Sequence, residues 1–210
     1  RQHPQPLEPG KRYRIQVPLN HISQRFPKGH RIRVSISTVY WPLAWTPPKS
    51  TKLCVYSKSS RILLPCRTKN LGGGDEATFD DPVAAAGPSV TVYDPEEHRW
   101  TVHRDLAQQR SELEVVDDRG LFRLDDIDLT VGTCAVERYS AYTGDFTSVK
   151  GTTDWERTLE RGDWKIRTRT HTCLTSDEEN FYIDAELDAY EGDRRVCCYT
   201  WNEVIPRDHL

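Results

Sequence analysis

The chain has 210 residues, with 29 Lys and Arg against 32 Asp and Glu, a formal net charge of -3 and 36% hydrophobic residues. That length holds one domain, or two small ones, with a real core, so neither a metal nor a disulfide framework is needed for folding. The near balance of interspersed charges argues against nucleic acid or an anionic membrane as partner, and no apolar run approaches about 18 residues.

The R-Q-H-P-Q-P start has no signal-peptide pattern, and Met is missing throughout, initiator included. The expectation is a soluble, untargeted, cytoplasmic product, cut from a longer polypeptide. The six cysteines, Cys54, Cys66, Cys134, Cys173, Cys197 and Cys198, form no C-x-x-C pair and no finger-like spacing with His. They read as small buried hydrophobes in a reducing compartment, with no metal site.

In chain order, a Pro-rich lead-in over 1–10 is followed by a strand over Arg12 to Leu19, where Tyr13, Ile15 and Val17 alternate with Arg14 and Gln16. The next stretch, Phe26 to Trp45, carries Ile32, Val34 and Ile36 between Arg31, Arg33, Ser35 and Ser37, so period two sends the branched side chains to one face. Pro27 and Gly29 punctuate its entry and Pro42 its exit. Lys52 to Tyr56 and Arg61 to Leu64, joined by S-K-S-S, read as a hairpin. Residues 67–89, with a Gly triplet, acidic residues and two prolines, read as a linker.

Strand patterns then run to the end: Val90 to Tyr93, Trp100 to Leu106, Glu112 to Val116, Gly120 to Leu124, Asp128 to Val131 and Cys134 to Tyr142. D-D-R-G between Val116 and Leu121 has the composition of a hairpin turn. A weak amphipathic helix fits Thr153 to Glu160. Trp164 to Thr172, Phe181 to Ala189 and Val196 to Trp201 alternate regularly and are separated by R-G-D, T-S-D-E-E-N and Y-E-G-D-R, which predicts an antiparallel meander. Lys165, Arg167 and Arg169 on one strand and Asp184, Glu186 and Asp188 on the next form polar positions of a solvated face.

Motifs for chemistry are missing. There is no G-x-S-x-G, no G-x-G-x-x-G, no P-loop and no spaced calcium loop, and the His residues are scattered. No catalytic residue, cofactor or metal ligand is assigned. The aromatic group Tyr40, Trp41 and Trp45, beside two proline-containing turns, is the candidate binding surface, either for a ligand or for a neighbouring domain. A packed loop plugging the end of a sandwich is the plainer account of the same residues.

L-E-P-G-K-R-Y-R-I-Q-V, then F-P-K-G-H-R-I-R-V-S-I-S-T-V-Y-W-P-L-A-W-T-P-P and R-I-L-L-P, resemble the C-terminal β-sandwich of the X-prolyl dipeptidyl-peptidase and cocaine-esterase (CocE/NonD) hydrolase family. E-R-Y-S, R-G-D-W-K-I-R-T, T-S-D-E-E-N-F, A-Y-E-G-D-R-R-V and W-N-E-V-I-P-R-D look like the extension found in one branch of that family.

The resemblance implies an all-β chain: a jelly-roll-like, galactose-binding-like sandwich over 1–66, incomplete at its N-terminus, and a β-rich meander over 90–210 packed on or continuing it. It also implies an accessory, non-catalytic role, with an α/β-hydrolase domain of the same parent chain as partner. The alternative is a free-standing carbohydrate- or peptide-binding module using Tyr40, Trp41 and Trp45. Edge strands and exposed aromatics are compatible with a homo-oligomer.

Overall fold

The computed structural model describes residues 4–66 and 80–209. Its strands are β1 (Val90–Asp94), β2 (Glu97–Asp105), β3 (Arg110–Leu124), β4 (Leu129–Tyr142), β5 (Lys150–Arg161), β6 (Trp164–Ser176), β7 (Asn180–Glu191) and β8 (Arg194–Pro206). They form one open antiparallel sheet in the order β1-β3-β4-β5-β6-β7-β8, with β2 also on β3. β1 pairs with residues 121–124 of β3 and β2 with residues 110–118. The two are therefore halves of one edge row, interrupted at Pro95, which has no N–H to give a ladder.

The protein is thus all-β, as its alternating pattern predicts. The β6–β7–β8 segment follows the predicted meander, and β5 extends it on one side. Gly162-Asp163 and Gly192-Asp193 close two-residue hairpins, and the positive φ of each glycine (55° and 57°) is the geometry that matches strand twist.

Several local expectations are corrected. D-D-R-G does not turn the chain: residues 117–120 lie inside β3 as a bulge between Asp118 and Leu121, because β4 on one side and the edge row on the other pair along the whole strand. Thr153 to Glu160 is part of β5 and not a helix. Alternation puts Thr153, Trp155, Arg157 and Leu159 on one face of the sheet.

In the N-terminal part, Arg12 to Leu19, Arg31 to Thr38, Lys52 to Tyr56 and Arg61 to Leu64 join no ladder. Ser57–Ser59 forms a 3-10 turn instead of a hairpin loop. A strand needs a neighbour for its backbone N–H and C=O groups, and the described residues offer these stretches none. Their apolar positions, Ile15, Ile32, Val34 and Ile36 among them, are exposed. Residues 80–89 of the linker have no regular structure, and 67–79 lie outside the described residues.

The ladder register assigns every strand residue to a face. Val92, Phe122, Val131, Leu159 and Ile166 stand side by side in one row, and Val102, Leu113, Tyr139, Gly151, Leu174 and Ile183 in another. This is the apolar face. The opposite face is charged. There Arg99 reaches Glu114 at 3.4 Å, Arg138 bridges Glu114 at 2.9 Å and Asp154 at 3.5 Å, and His171 Nδ1 lies 2.6 Å from Asp154, a chain crossing five strands.

Arg169 stands opposite Asp188 but its guanidinium takes Glu156, while Arg195 takes Asp188. Such exposed pairs contribute about 0.2 to 1 kcal/mol each.

The two faces differ in chemistry but neither is fully covered. Among the described residues only Val116, Ala135 and Val149 are buried hydrophobics. The chain exposes 18329 Å², against the roughly 10,000 Å² expected of a compact monomer of its mass. The expected buried positions of the cysteines are corrected by the same openness: Cys54, Cys66 and Cys198 are exposed and the other three are half-buried, all six unpaired.

Candidate functional site

One end of the apolar face is occupied. Residues 41–49 lie against the C-terminal end of β4, the start of β5, the end of β6 and the start of β7. A backbone bond from Ala44 N–H to Tyr40 C=O (2.9 Å) tightens the turn that presents the indoles, with the Trp41-Pro42 peptide cis.

Trp41 meets Trp45 edge-on at 4.9 Å and Tyr139 at 5.8 Å, and its six-membered ring approaches the backbone at Gly151, where no side chain stands in the way. Trp45 meets Phe181 edge-on at 5.9 Å and donates from Nε1 to Ser176 Oγ at 2.8 Å. These T-shaped contacts add about 0.5 to 1.5 kcal/mol each beyond area burial.

Arg207, the residue after β8, locks the seam from below and is 2% exposed. Its guanidinium donates to Ser176 Oγ (3.2 Å), to Asp177 C=O (2.9 Å) and to Thr46 C=O, and lies 4.7 Å over the Phe181 ring. Burial lowers its pKa, opposed by the Asp177 carboxylate. Thr46, itself buried, donates from Oγ1 to Phe146 C=O at 2.9 Å, and at the rim Lys49 pairs with Glu178 at 3.3 Å.

Two further groups are tuned here. Tyr139 is pushed up to about 12, first by burial and then by its bond to Glu137 at 2.6 Å, so it remains a neutral phenol against Trp41. Asp177 is held below the usual carboxylate range by the Tyr182 hydroxyl at 2.5 Å and by the N–H groups of Glu179 and Asn180.

A depressed folded pKa contributes stability above the unfolded value, about 3.9 for Asp, and that contribution is lost as pH falls through the folded value. Below about pH 4 the turn at 177–180 should therefore loosen, and with it the backbone that Arg207 grips. In a thermal-melt series from pH 7 to pH 2, Asp177→Asn is expected to flatten part of the acid limb. An acid limb identical to that of the unaltered chain would remove Asp177 from the account.

Of the three aromatic residues picked from sequence, Trp41 and Trp45 come together in the seam, whereas Tyr40 is 67% exposed and makes none of the seam's ring contacts. Sequence reasoning missed Tyr139, Ser176, Phe181 and Arg207. Their one local signal is Arg207 directly after Pro206, a cation placed where the last strand must stop. The site contains no nucleophile paired with a base. Among the described residues no group of three or more His, Cys, Asp or Glu is placed to hold a metal ion. Its chemistry is adhesion of one part of the chain to another.

No curated protein and no solved structure matches the chain. A family model does, over residues 1–103, a span that contains the whole 41–49 segment, β1 and most of β2. Residues 1–103, just under half of the chain, match the model of the family described as the X-Pro dipeptidyl-peptidase C-terminal non-catalytic domain.

Proposed function

We propose that the chain is the accessory β-region of a CocE/NonD-type serine hydrolase, an X-Pro dipeptidyl-peptidase, which releases X-Pro dipeptides from longer peptides, or a related ester or amide hydrolase. In this reading it packs against an α/β-hydrolase domain of the same parent chain and performs no chemistry itself. The observation that carries it is the match of residues 1–103 to a domain described as non-catalytic. It is supported by a seam held by edge-on rings and by hydrogen bonds from the Trp45 indole, the Thr46 hydroxyl and the Arg207 guanidinium, and by three exposed, unpaired thiols suited to a reducing cytoplasmic setting. Trp41 and Trp45 then serve as the joint between the 41–49 segment and the sheet, with the exposed Tyr40 left open to the partner domain.

A glycan or peptide platform made of Tyr40, Trp41 and Trp45 has weaker support, because both indoles are turned edge-on into neighbours of the same chain.

The chain alone is expected to give no turnover of p-nitrophenyl acetate or of an X-Pro-nitroanilide. Activity that survives repurification would refute the accessory reading.

A further inference from the structure

The sheet has two edges, and they are built differently. On one of them β2 carries an ionisable side chain at six of its nine positions, Glu97, His98, Arg99, His103, Arg104 and Asp105, and the row it shares with β1 is broken at Pro95. Charge, proline and interruption are the devices that keep an edge from pairing with another chain. On the other edge β8 pairs only with β7, and residues 197–205 hold one charge, Glu203, and no proline. The outer row of β8 backbone N–H and C=O groups meets no strand among the described residues, and Tyr199 and Val204 are 59% and 60% exposed. A bare edge of this length is a template for one more strand.

We infer that the added strand is β8 of a second copy, antiparallel to the first about a two-fold axis that passes through Trp201 perpendicular to the sheet. The order of residues selects this partner and this register. Ladder pairs put Tyr199, Trp201 and Glu203 on the apolar face, opposite Leu187, Ala185 and Ile183, and Cys198, Thr200, Asn202 and Val204 on the charged face. Residues opposite each other across a ladder share a face, so two copies with their apolar faces on one side must match odd positions to odd and even to even. Centred on Trp201, the strand is complementary to itself: Thr200 meets the partner's Asn202, Tyr199 the partner's Glu203, Cys198 the partner's Val204 and Cys197 the partner's Ile205.

The Tyr199–Glu203 match carries the register. Glu203 is a carboxylate on an apolar face, and the Tyr199 ring stacks on Trp201 at 5.7 Å. No hydrogen bond or ion pair joins either residue to another described one. The two-fold sets a phenol across from a carboxylate twice, a donor before a charged acceptor each time. Centred on Tyr199 instead, Glu203 would stand across from the partner's Arg195. The bulge beside Tyr190 turns that arginine to the charged face, where it holds Asp188.

Sedimentation velocity of the 210-residue chain over a concentration series is expected to show a monomer–dimer equilibrium. Trp201→Lys sets two like charges face to face on the axis and should leave only monomer, whereas Trp100→Lys on the guarded edge should leave association unchanged. Glu203→Gln should weaken the dimer about tenfold. Val204→Cys reads the register directly: with a copper–phenanthroline oxidant it should form an intermolecular disulfide to the partner's Cys198, identified by peptide mass, and Asn202→Cys, opposite the partner's Thr200, should not.

A chain that stays monomeric throughout the series would overturn the inference. A dimer that survives Trp201→Lys, or a disulfide from position 204 to any other cysteine, would overturn it as well. Equal loss of the dimer in both lysine variants would do so in favour of two apolar faces stacked on each other. None of these outcomes depends on the turnover assay.

Discussion

Arg207→Ala is expected to release residues 41–49 from the sheet and to cost about 3 to 5 kcal/mol. The arginine is among the most buried side chains of the described structure, yet it is polar, and it brings together Ser176, the Asp177 carbonyl and the Thr46 carbonyl. Hydrogen bonds to a charged donor contribute about 1.5 to 3 kcal/mol each, and removing the donor leaves buried acceptors to pay the loss. The stacked contact over Phe181 goes with it.

Arg207→Lys keeps the charge but loses the planar fork, so one lysine cannot meet three acceptors in that geometry. It should recover only part of the loss. Urea denaturation gives the free energy, and tryptophan emission should shift to the red as Trp41 and Trp45 enter water. Because Arg207 and Trp45 both bond the same Ser176 hydroxyl, the double variant with Trp45→Phe should be non-additive by about 0.5 to 3 kcal/mol. A loss below about 0.5 kcal/mol with unshifted emission, the range of an ordinary surface change, would show that the segment is held by its rings alone.

Gly120→Ala should be the most damaging single methyl in the sheet. Gly120 has φ +67° within the β3 bulge, and an added Cβ would stand 2.2 Å from the Asp94 carbonyl oxygen and 2.8 Å from two Pro95 backbone atoms. The left-handed backbone alone costs Ala about 1 kcal/mol. The clash adds to it, because the obstructing atoms are backbone of the edge row and cannot rotate away. The edge row must move, so β1 and β2 lose register with β3, and a total of about 2 to 4 kcal/mol is expected. Amide exchange should rise first at Val92 and at Glu97 to Arg99, beside the bulge, and not in β6 or β7. Uniform exchange with an unchanged urea midpoint would mean that the edge row carries no stability.

The same bulge explains why D-D-R-G misleads. The residues of a tight turn and those of a bulge are alike, a glycine able to take positive φ preceded by polar side chains. Which one forms depends on whether strands flank the segment on both sides. Gly162-Asp163 and Gly192-Asp193, with similar composition, do turn the chain, because β6 folds back on β5 and β8 on β7.

Period-two alternation by itself determined that the chain is all-β, that the last third is a meander, and which residues share a face: Phe181, Ile183, Ala185 and Leu187 on one, Tyr182, Asp184 and Glu186 on the other. Residue order over Leu7 to Pro65 carried the family. These are local properties, fixed by side-chain spacing and by the sequence of residue types.

Only the tertiary structure decided that Arg12 to Leu19 and Arg31 to Thr38 stand outside any ladder, since alternation marks a strand's faces but cannot supply a neighbour for its backbone. Only it brought Trp45 to Ser176 and Thr46 to Arg207, positions 131 and 161 residues apart in sequence. Contacts at that separation leave no periodic trace in either segment. They exist because the meander returns the end of β6, the start of β7 and the residue after β8 to one corner of the sheet, where the two indoles find an apolar face to enter.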